Sequence, residues 1–309
     1  MTTSPTPPPA LSPVRTWLLA ARPKTLPAAA APVVVGTAMA VEAGAFHLAA
    51  AVCALLGALF IQIGTNYAND YHDFVQGADT ADRKGPVRVT QAGLASPAAT
   101  KRAALLAFVL AVAAGTYLMI RGGWPIVTIG VLSLVCGWLY TAGRYSLAYL
   151  GIADLFVLAF FGPVAVAGTY YVQAVGDAAA LGLLPVVVAA GLGPGLLATA
   201  ILLVNNIRDV DEDRAADKRT LIVRLGREVG VRLYALCVAA AALVPVALWL
   251  WTREHALSML AATVLPLALP AVRQLREERD AVRLNPLLGA TARLLLIWSV
   301  LFSVGWVLS

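Results

Sequence analysis

Charged residues are scarce in this sequence. Asp, Glu, Lys and Arg together make up 13% of its 309 residues, whereas soluble globular domains carry about 25%. Hydrophobic residues reach 60%, and a soluble chain of this length has no interior large enough to bury so much apolar surface. The composition therefore excludes an ordinary soluble protein. It predicts an all-α polytopic membrane protein, since a helix satisfies its own backbone hydrogen bonds inside lipid.

Residues that bind zinc or form disulfides are also few. The chain has 3 cysteines and 3 histidines. Cys53, Cys136 and Cys237 lie inside apolar runs at unrelated spacings, which argues against a disulfide framework or a zinc site. The sequence contains no GxxxxGK[ST] pattern, so a nucleotide-hydrolysing phosphate loop is not expected.

The opening "MTTSPTPPPALSP" lacks the basic start and apolar core of a signal peptide. Its proline, serine and threonine content predicts a disordered tail over residues 1–14. No stretch between the later apolar segments is long enough for a separate soluble domain. Residues 15–309 are therefore predicted to form a single transmembrane domain.

Nine apolar segments are long enough to be candidate membrane spans. They lie at residues 26–44, 49–66, 102–120, 124–142, 150–172, 182–205, 231–251, 256–272 and 286–307. The connections after the first, third, fifth and seventh segments are short, whereas the long polar connections all lie on the other side. Chemistry is therefore expected at the face that carries the long loops.

Lysine and arginine are distributed unevenly between the two faces. All but three of the 23 basic residues lie on the side of the long loops, the exceptions being Arg121, Arg253 and Arg293. By the positive-inside rule that side is cytoplasmic, which predicts an inside N-terminus and an outside C-terminus in a multi-pass protein of the cell membrane. The net charge of +6 then reflects topology, and no nucleic-acid partner is predicted.

Aspartates gather at two places on this face, and each cluster begins with asparagines. In the first, Asn69 and Asp73 are four residues apart, and in the second, Asp209 and Asp213 have the same spacing. Side chains four apart share one face of a helix, and like charges there destabilise it by about 0.2–0.5 kcal/mol. Compensating positive groups are therefore expected at both places.

Two explanations of these clusters are open from the residues alone. They are solvated helix ends balanced by nearby arginines and lysines, or they bind a hard cation such as Mg²⁺, which prefers carboxylate, amide and phosphate oxygens. The basic residues between the aspartates favour the second explanation, because a diphosphate would contact Mg²⁺ and basic side chains together. A diphosphate on a lipid-soluble tail would account for a site at the membrane surface.

At these residues the sequence resembles the UbiA superfamily of intramembrane prenyltransferases, which carries an Asn-led NxxxDxxxD motif after its second helix and DxxxD after its sixth. The first motif stands here as "NDYHDFVQGAD", with Gly77 where the general pattern has aspartate and Asp79 two residues later. This extension, with "RPKTLPAAAAPVVVGTA" and "NNIRDVDEDRAADKRTLIVRLG", resembles the branch that prenylates naphthoquinone precursors. Asp154 departs from that branch, where glutamate is expected.

The resemblance implies a bundle of about nine transmembrane helices with a central cavity open to the cytoplasmic side. It implies Mg²⁺-dependent transfer of a polyprenyl group from polyprenyl diphosphate to 1,4-dihydroxy-2-naphthoate, with loss of CO₂ and diphosphate, giving demethylmenaquinol. Other aromatic acceptors such as 4-hydroxybenzoate stay open within the superfamily. A divalent-cation transporter and a purely structural membrane protein are the alternatives outside it.

The resemblance also implies a set of site residues. Two Mg²⁺ ions would be held by Asn69, Asp70, Asp73, Asp79, Asn206, Asp209 and Asp213. The diphosphate would contact Arg83, Arg88, Tyr140, Arg144, Arg208 and Lys218. The acceptor and the prenyl chain would contact Arg22, Lys24, Asn66, Tyr67, Tyr145, Tyr149, Phe156 and Phe160. The catalytic residues would be Asp73, Asp209, Asp213 and the intramembrane Asp154.

Overall fold

The computed structural model describes residues 11–77, 84–140, 142 and 146–309, and these contain helices and no strand. The longer helices, numbered α1 to α10, are α1 Pro13–Ala21, α2 Pro27–Glu42, α3 Leu48–Val75, α4 Pro97–Gly122, α5 Trp124–Leu139, α6 Ala153–Ala174, α7 Leu184–Arg208, α8 Arg227–Thr252, α9 Ala256–Glu277 and α10 Ala281–Leu308. Short helices in the connections are Pro23–Thr25, Leu147–Leu150, Ala178–Gly182, Val210–Ala215 and Leu221–Leu225.

Within the described residues, seven helices are long and apolar enough to cross a membrane, and α1 and α2 add an eighth crossing if they count as one span bent by 55°. Helix α5 is apolar but has 16 residues, and a bilayer crossing takes about 20. Each of the nine predicted segments overlaps one of α2 to α10. The prediction of an all-α multi-pass membrane protein is confirmed, whereas the number of nine spans stays a prediction.

The outer surface of the bundle is apolar, as a lipid-facing surface must be. The side chains of Val109 and Leu243 are each 63% exposed. Trp124 and Trp251, at the end of the bundle opposite the acidic clusters, are also exposed, in keeping with the preference of tryptophan for membrane interfaces. Helix α7 is central instead, because it packs against α2, α6, α8 and α10.

A sharp turn separates α1 from α2 at the end of the bundle that carries the acidic clusters. Arg22 adopts the left-handed conformation with φ 51°. Pro23 follows it, and the helix ends here because proline has no N–H to continue it. Asn66 of α3 holds this turn: its Nδ2 donates hydrogen bonds to Ala21 O at 2.9 Å and to Thr25 Oγ1 at 3.2 Å. Arg22 is thereby fixed beside the end of α3.

Helices α6 and α7 cross at very short range. A π-helical turn at Phe160–Val164 interrupts α6, and Gly162 within it has φ −120° and ψ −112°. A Cβ built on Gly162 would lie 2.8 Å from Gly195 Cα, so only a glycine lets the two backbones approach this closely. Phe160 and Phe161, at the start of this turn, face the inside of the bundle.

Candidate active site

The first acidic cluster lies on the last turns of α3. This helix continues to Val75, beyond the predicted end of the apolar segment at residue 66, so the asparagines and aspartates of the cluster are helical. Asn69 and Asp73 therefore share one face of α3. Asp73 is buried, with 1% of its surface exposed.

The second cluster lies where α7 ends. The helix stops at Arg208, and Asp209 leaves the helical conformation with φ −93° and ψ 9°. The short helix Val210–Ala215 then carries Asp213, which is half-buried. Asp209 and Asp213 are still joined by the hydrogen bond of one helical turn, because Asp213 N–H donates to Asp209 O at 2.8 Å.

Asp73 is the point where the two clusters meet. Its Oδ2 accepts a hydrogen bond from Arg88 Nη2 at 3.2 Å, and its Oδ1 accepts one from Lys218 Nζ at 2.8 Å. Lys218 follows the second cluster, so this contact joins parts of the sequence 145 residues apart. All three side chains are buried, and removing one partner of a buried ion pair costs about 3–5 kcal/mol.

Arg208 and Asp209 form the matching pair at the end of α7. Arg208 donates from Nε and Nη2 to the two carboxylate oxygens of Asp209, both at 2.6 Å, in the two-pronged geometry that arginine also uses with phosphates. Its Nη2 donates to Asn205 Oδ1 as well. The compensating cations that the sequence predicts are present beside both clusters. Three of them, Arg88, Arg208 and Lys218, were assigned from the sequence to the diphosphate alone. Their direct contacts with aspartates add a second role to that prediction.

A cavity of about 760 Å³ begins beside these ion pairs and extends into the bundle. Among the described residues, four charged side chains line its polar end, and all four are basic: Arg22, Lys24, Arg88 and Arg208. No described aspartate or glutamate lines it. The described wall at this end is therefore basic, although Arg88 and Arg208 are paired with Asp73 and Asp209, and a basic wall suits an anion.

The rest of the cavity is apolar and long. Its lining on α3 extends from Ala54 to Asn69, which is about 22 Å at 1.5 Å per residue. Phe156 and Phe160 of α6 also line it, and their rings stack with centroids 6.2 Å apart. Such a space accommodates a molecule with an anionic head and a hydrocarbon tail.

A comparison with models of protein families identifies the family of this chain. The model of the UbiA prenyltransferase family matches residues 29–306. The chain belongs to the UbiA prenyltransferase family. The matched region includes both acidic clusters and α3 to α7, which surround the cavity. The family membership and the prenyltransferase class predicted from the motifs are confirmed.

Individual members of the UbiA family resemble this chain over nearly its full length. The 1,4-dihydroxy-2-naphthoate octaprenyltransferase of Escherichia coli (strain K12) is 38% identical over 97% of this chain and 97% of its own. The protein of the same name from Mycobacterium tuberculosis is 39% identical over 92% and 94%. The solved structure of a UbiA homolog from Archaeoglobus fulgidus bound to GPP and Mg²⁺ shares the fold, with a TM-score of 0.59 and 16% identity over 93% and 99%.

The oxygen atoms of the two clusters suit a divalent metal ion. Asn69 Oδ1 is buried and has no hydrogen-bond partner in the part of the chain that the structure describes, and Asn69 lines the cavity one turn from Asp73. Within the described residues no three acidic, histidine or cysteine side chains converge on one point; Asp73 and Asp209 contact basic side chains instead. Amide and carboxylate oxygens are nevertheless the ligands that Mg²⁺ prefers, so the donor set fits this ion.

The structure places two of the predicted site residues, Asn206 and Tyr67, outside the cavity lining. Asn206 was assigned to the metal, but Asn205 is the asparagine that lines the cavity. Asn205 precedes Asp209 by four residues, as Asn69 precedes Asp73. This shared spacing is visible in the sequence and could have identified Asn205. Tyr67 was assigned to the substrate, but its hydroxyl donates to Trp17 O at 3.1 Å and the residue lies outside the cavity lining.

Asn285 of α10 is a lining residue that no sequence pattern singles out. Its Oδ1 is buried and has no hydrogen-bond partner among the described residues, while its Nδ2 donates to Lys84 O at 3.1 Å. The side chain thus connects the start of α10 to the loop after α3. A single asparagine near a helix start carries no periodic signal, so the three-dimensional fold alone identifies it.

Asp154 and Tyr149 lie next to the cavity rather than in its lining. Asp154 is buried in the first turn of α6, and neither of its carboxylate oxygens has a hydrogen-bond partner among the residues that the structure describes. Tyr149 packs beneath Lys218, whose Nζ lies 5.5 Å from the ring centroid. The lining does include Tyr140, at the end of α5. Four predicted site residues lie outside the described residues: Asp79, Arg83, Arg144 and Tyr145.

Asp70, assigned from the sequence to the metal, holds the loop after α3 instead. Its two carboxylate oxygens accept hydrogen bonds from the backbone N–H groups of Val89 at 3.0 Å and Thr90 at 3.1 Å. These residues directly follow Arg88, which lines the cavity and contacts Asp73. Asp70 therefore positions Arg88 through the backbone.

We expect Asp70→Asn to raise KM for a prenyl diphosphate about tenfold with a smaller change in kcat, because one lost acceptor leaves a buried N–H unpaired and releases Arg88. Steady-state kinetics measure both constants. Asp177→Asn is the matched control, since Asp177 Oδ1 also accepts two backbone N–H bonds, from Ala179 and Ala180 at 3.0 Å each, at the opposite face. A fall in kcat without a change in KM would restore Asp70 to the metal ligands.

Proposed function

We propose that the protein transfers a polyprenyl group from polyprenyl diphosphate to 1,4-dihydroxy-2-naphthoate, giving demethylmenaquinol for menaquinone biosynthesis. The observation that carries this proposal is the cavity, whose positive end continues into a long apolar channel. The two relatives named for this acceptor, at 38% and 39% identity, support the substrate class. The described charged residues that line the cavity gather at one end of it, whereas a transporter carries ionisable residues near the bilayer midplane, so this arrangement disfavours the alternative of a divalent-cation transporter.

The donor would bind with its two parts in the two parts of the cavity. Arg88, Arg208 and Lys218 would bind and orient the diphosphate oxygens, and Tyr140 would donate a hydrogen bond to them. The polyprenyl chain would lie along the apolar walls of α3, α5 and α6, where its burial is favourable by about 25 cal/mol per Å². The UbiA homolog solved with GPP supports binding of a prenyl diphosphate in this fold.

The residues that would hold Mg²⁺ are Asn69, Asp73, Asp209 and Asp213, with Asp79 outside the described residues. We propose two ions, one for each cluster. When bound, Mg²⁺ would neutralise diphosphate oxygens and stabilise the charge that develops as diphosphate leaves. The aspartates have a second role, since they hold Arg88, Arg208 and Lys218 in place before substrate arrives, so little reorganisation is needed during the reaction.

Cleavage of the donor breaks the bond between the allylic carbon and oxygen, and the electron pair leaves with diphosphate. The resulting allylic cation requires a dry surface, because water would quench it. Phe156, Phe160 and Phe161 line the cavity there, and aromatic faces stabilise a cation. An electron-rich ring carbon of the acceptor then forms the new bond, and loss of CO₂ returns an electron pair to the ring.

The acceptor carries a carboxylate, and two lining cations stand at the mouth of the cavity to receive it. Arg22 and Lys24 belong to the turn between α1 and α2 that Asn66 holds in place. We assign them to the acceptor carboxylate. Asp154, buried nearby without a hydrogen-bond partner, is assigned to orienting the acceptor or holding a proton. The whole site is assigned to the cytoplasmic side of the cell membrane, because the basic residues concentrate there.

The test is the mass of the product formed by purified protein with Mg²⁺, a polyprenyl diphosphate and a panel of aromatic acids. We expect one product, equal in mass to 1,4-dihydroxy-2-naphthoate with its carboxyl group replaced by the prenyl group. We expect kcat/KM to exceed that for 4-hydroxybenzoate about 100-fold, since a site built around the acceptor's polar groups rejects poorly matched ones. A product that keeps the carboxyl group, or equal use of 4-hydroxybenzoate, would contradict the proposal.

A further inference from the structure

A second, smaller groove lies on the outer surface of the bundle, between α9 and α10. Its volume is about 300 Å³, and its walls are mostly apolar, with Leu267 and Pro270 from α9 and Ile297 from α10. One lining residue is charged, and it is Arg293. None of the described residues that line this groove also lines the larger cavity, so the groove is separate from the proposed active site.

Arg293 occupies a position where a charge is costly. It lies within α10, a membrane-crossing helix, and its side chain is exposed on the outer face. It makes no hydrogen bond or ion pair with the described part of the chain. An unpaired arginine that faces hydrocarbon is rare in membrane helices, and the anions that a bilayer itself offers are the phosphates of its lipids.

The guanidinium group of Arg293 is directed toward one membrane surface. A Cβ built on Gly289 would lie 3.8 Å from Arg293 Nη1, so the side chain reaches back one turn toward the start of α10. That start lies at the face with the acidic clusters, because Asn285 of α10 contacts Lys84 there. A long basic side chain that extends toward the nearer surface shortens the distance between its charge and the lipid phosphates.

A second cation lies close to Arg293. The same Cβ on Gly289 would be 3.8 Å from Lys24 Cδ, so Arg293 Nη1 and Lys24 Cδ are separated by at most twice that distance. Lys24 also makes no ion pair with a described residue. Two neighbouring cations that pair with no described acidic residue repel each other, and an anion near both would be attracted by both. The pair therefore favours a net negative head group over a zwitterionic one.

We infer that the groove between α9 and α10 binds an anionic phospholipid. Arg293 donates hydrogen bonds to the phosphate oxygens, with Lys24 nearby as a second positive charge, and the first part of an acyl chain lies along the apolar walls. The occupant is a bilayer lipid rather than the prenyl donor, because the groove lies on the outer surface and none of the described residues that line it lines the cavity. Lys24 belongs to the cavity lining and adds only its positive charge at the edge of the groove. The inference does not depend on which aromatic acceptor the enzyme uses.

The test compares the purified protein with Arg293→Gln in nanodiscs of phosphatidylcholine to which phosphatidylglycerol is added stepwise. Native mass spectrometry counts the retained phosphatidylglycerol, and thermal unfolding measures the gain in Tm. We expect the unsubstituted protein to retain phosphatidylglycerol and gain Tm, and Arg293→Gln to bind it about tenfold more weakly, as for a lost charged hydrogen bond. The matched control is Arg276→Gln, which removes an exposed arginine of α9 outside the groove and is expected to bind like the unsubstituted protein.

Three results would overturn the inference. The first is equal retention of phosphatidylglycerol by Arg293→Gln and by the unsubstituted protein. The second is the same gain in Tm from inorganic phosphate in discs of phosphatidylcholine alone, which would assign the groove to free phosphate. The third is a higher KM of Arg293→Gln for the prenyl diphosphate in those neutral discs, which would assign Arg293 to the donor.

Discussion

Asp73→Asn is expected to lower kcat for prenyl transfer about 10³-fold while the protein still inserts into the membrane. Asparagine keeps the shape of the side chain but loses its charge and one acceptor oxygen, so it cannot neutralise Arg88 and Lys218 together. Both cations would move, and the proposed metal would lose a carboxylate. Loss of one preorganised electrostatic contact in an active site costs about 10²–10³-fold in kcat, and Asp73 supports several.

The control for Asp73→Asn is Asp211→Asn. Asp211 belongs to the second acidic cluster, but its side chain is 85% exposed and contacts the exposed Arg214 at 3.3 Å. Such surface pairs contribute at most about 1 kcal/mol to stability, so activity should stay within about twofold. Folding is measured by the yield in the membrane fraction and by Tm. If Asp73→Asn does not fold, Asp73→Glu, which keeps the charge, replaces it as the test variant. Normal turnover of folded Asp73→Asn would remove Asp73 from the proposed site.

Removing divalent cations with excess chelator is expected to abolish prenyl transfer, by about 10³-fold or more, and added Mg²⁺ should restore it. The leaving diphosphate carries several negative charges, and the stabilisation that a bound ion contributes amounts to several kcal/mol, of which each 1.36 kcal/mol is a factor of ten in rate. Initial rates with purified protein, with and without chelator, give the measurement.

The effect of chelator on turnover must be separated from an effect on folding. Tm should therefore be recorded under the same conditions, where a small change is expected because Asp73 and Asp209 already contact basic side chains. Pyrophosphate with Mg²⁺ should raise Tm more than either alone, which reports binding without turnover. Undiminished turnover in excess chelator would exclude the metal from the mechanism.

Several features of this protein follow from the sequence alone. The low charge and the apolar segments establish an all-α membrane protein, because lipid admits few other arrangements of the backbone. The spacing of Asn69 and Asp73 places them on one helical face, since this periodicity is a local property of a helix. The two Asn-led acidic motifs directed the assignment to the UbiA family, which the family comparison confirmed.

Other features depended on how distant parts of the chain pack together. No pattern in the sequence links Lys218 to Asp73, yet they form a buried ion pair across 145 residues. Asp70 looked like a metal ligand, and its backbone contacts with Val89 and Thr90 appear once the loop is folded back onto α3. In both cases the partner is set by the path of a loop, which has no period that a sequence pattern could reveal.

Arg293 shows the same division. The sequence alone identified an arginine inside the last apolar segment, and the physical chemistry of the bilayer made it worth explaining. The tertiary structure decided that it faces outward, in a groove with α9 and close to Lys24. A helical pattern fixes which residues share a face, whereas the packing of neighbouring helices decides what that face contacts.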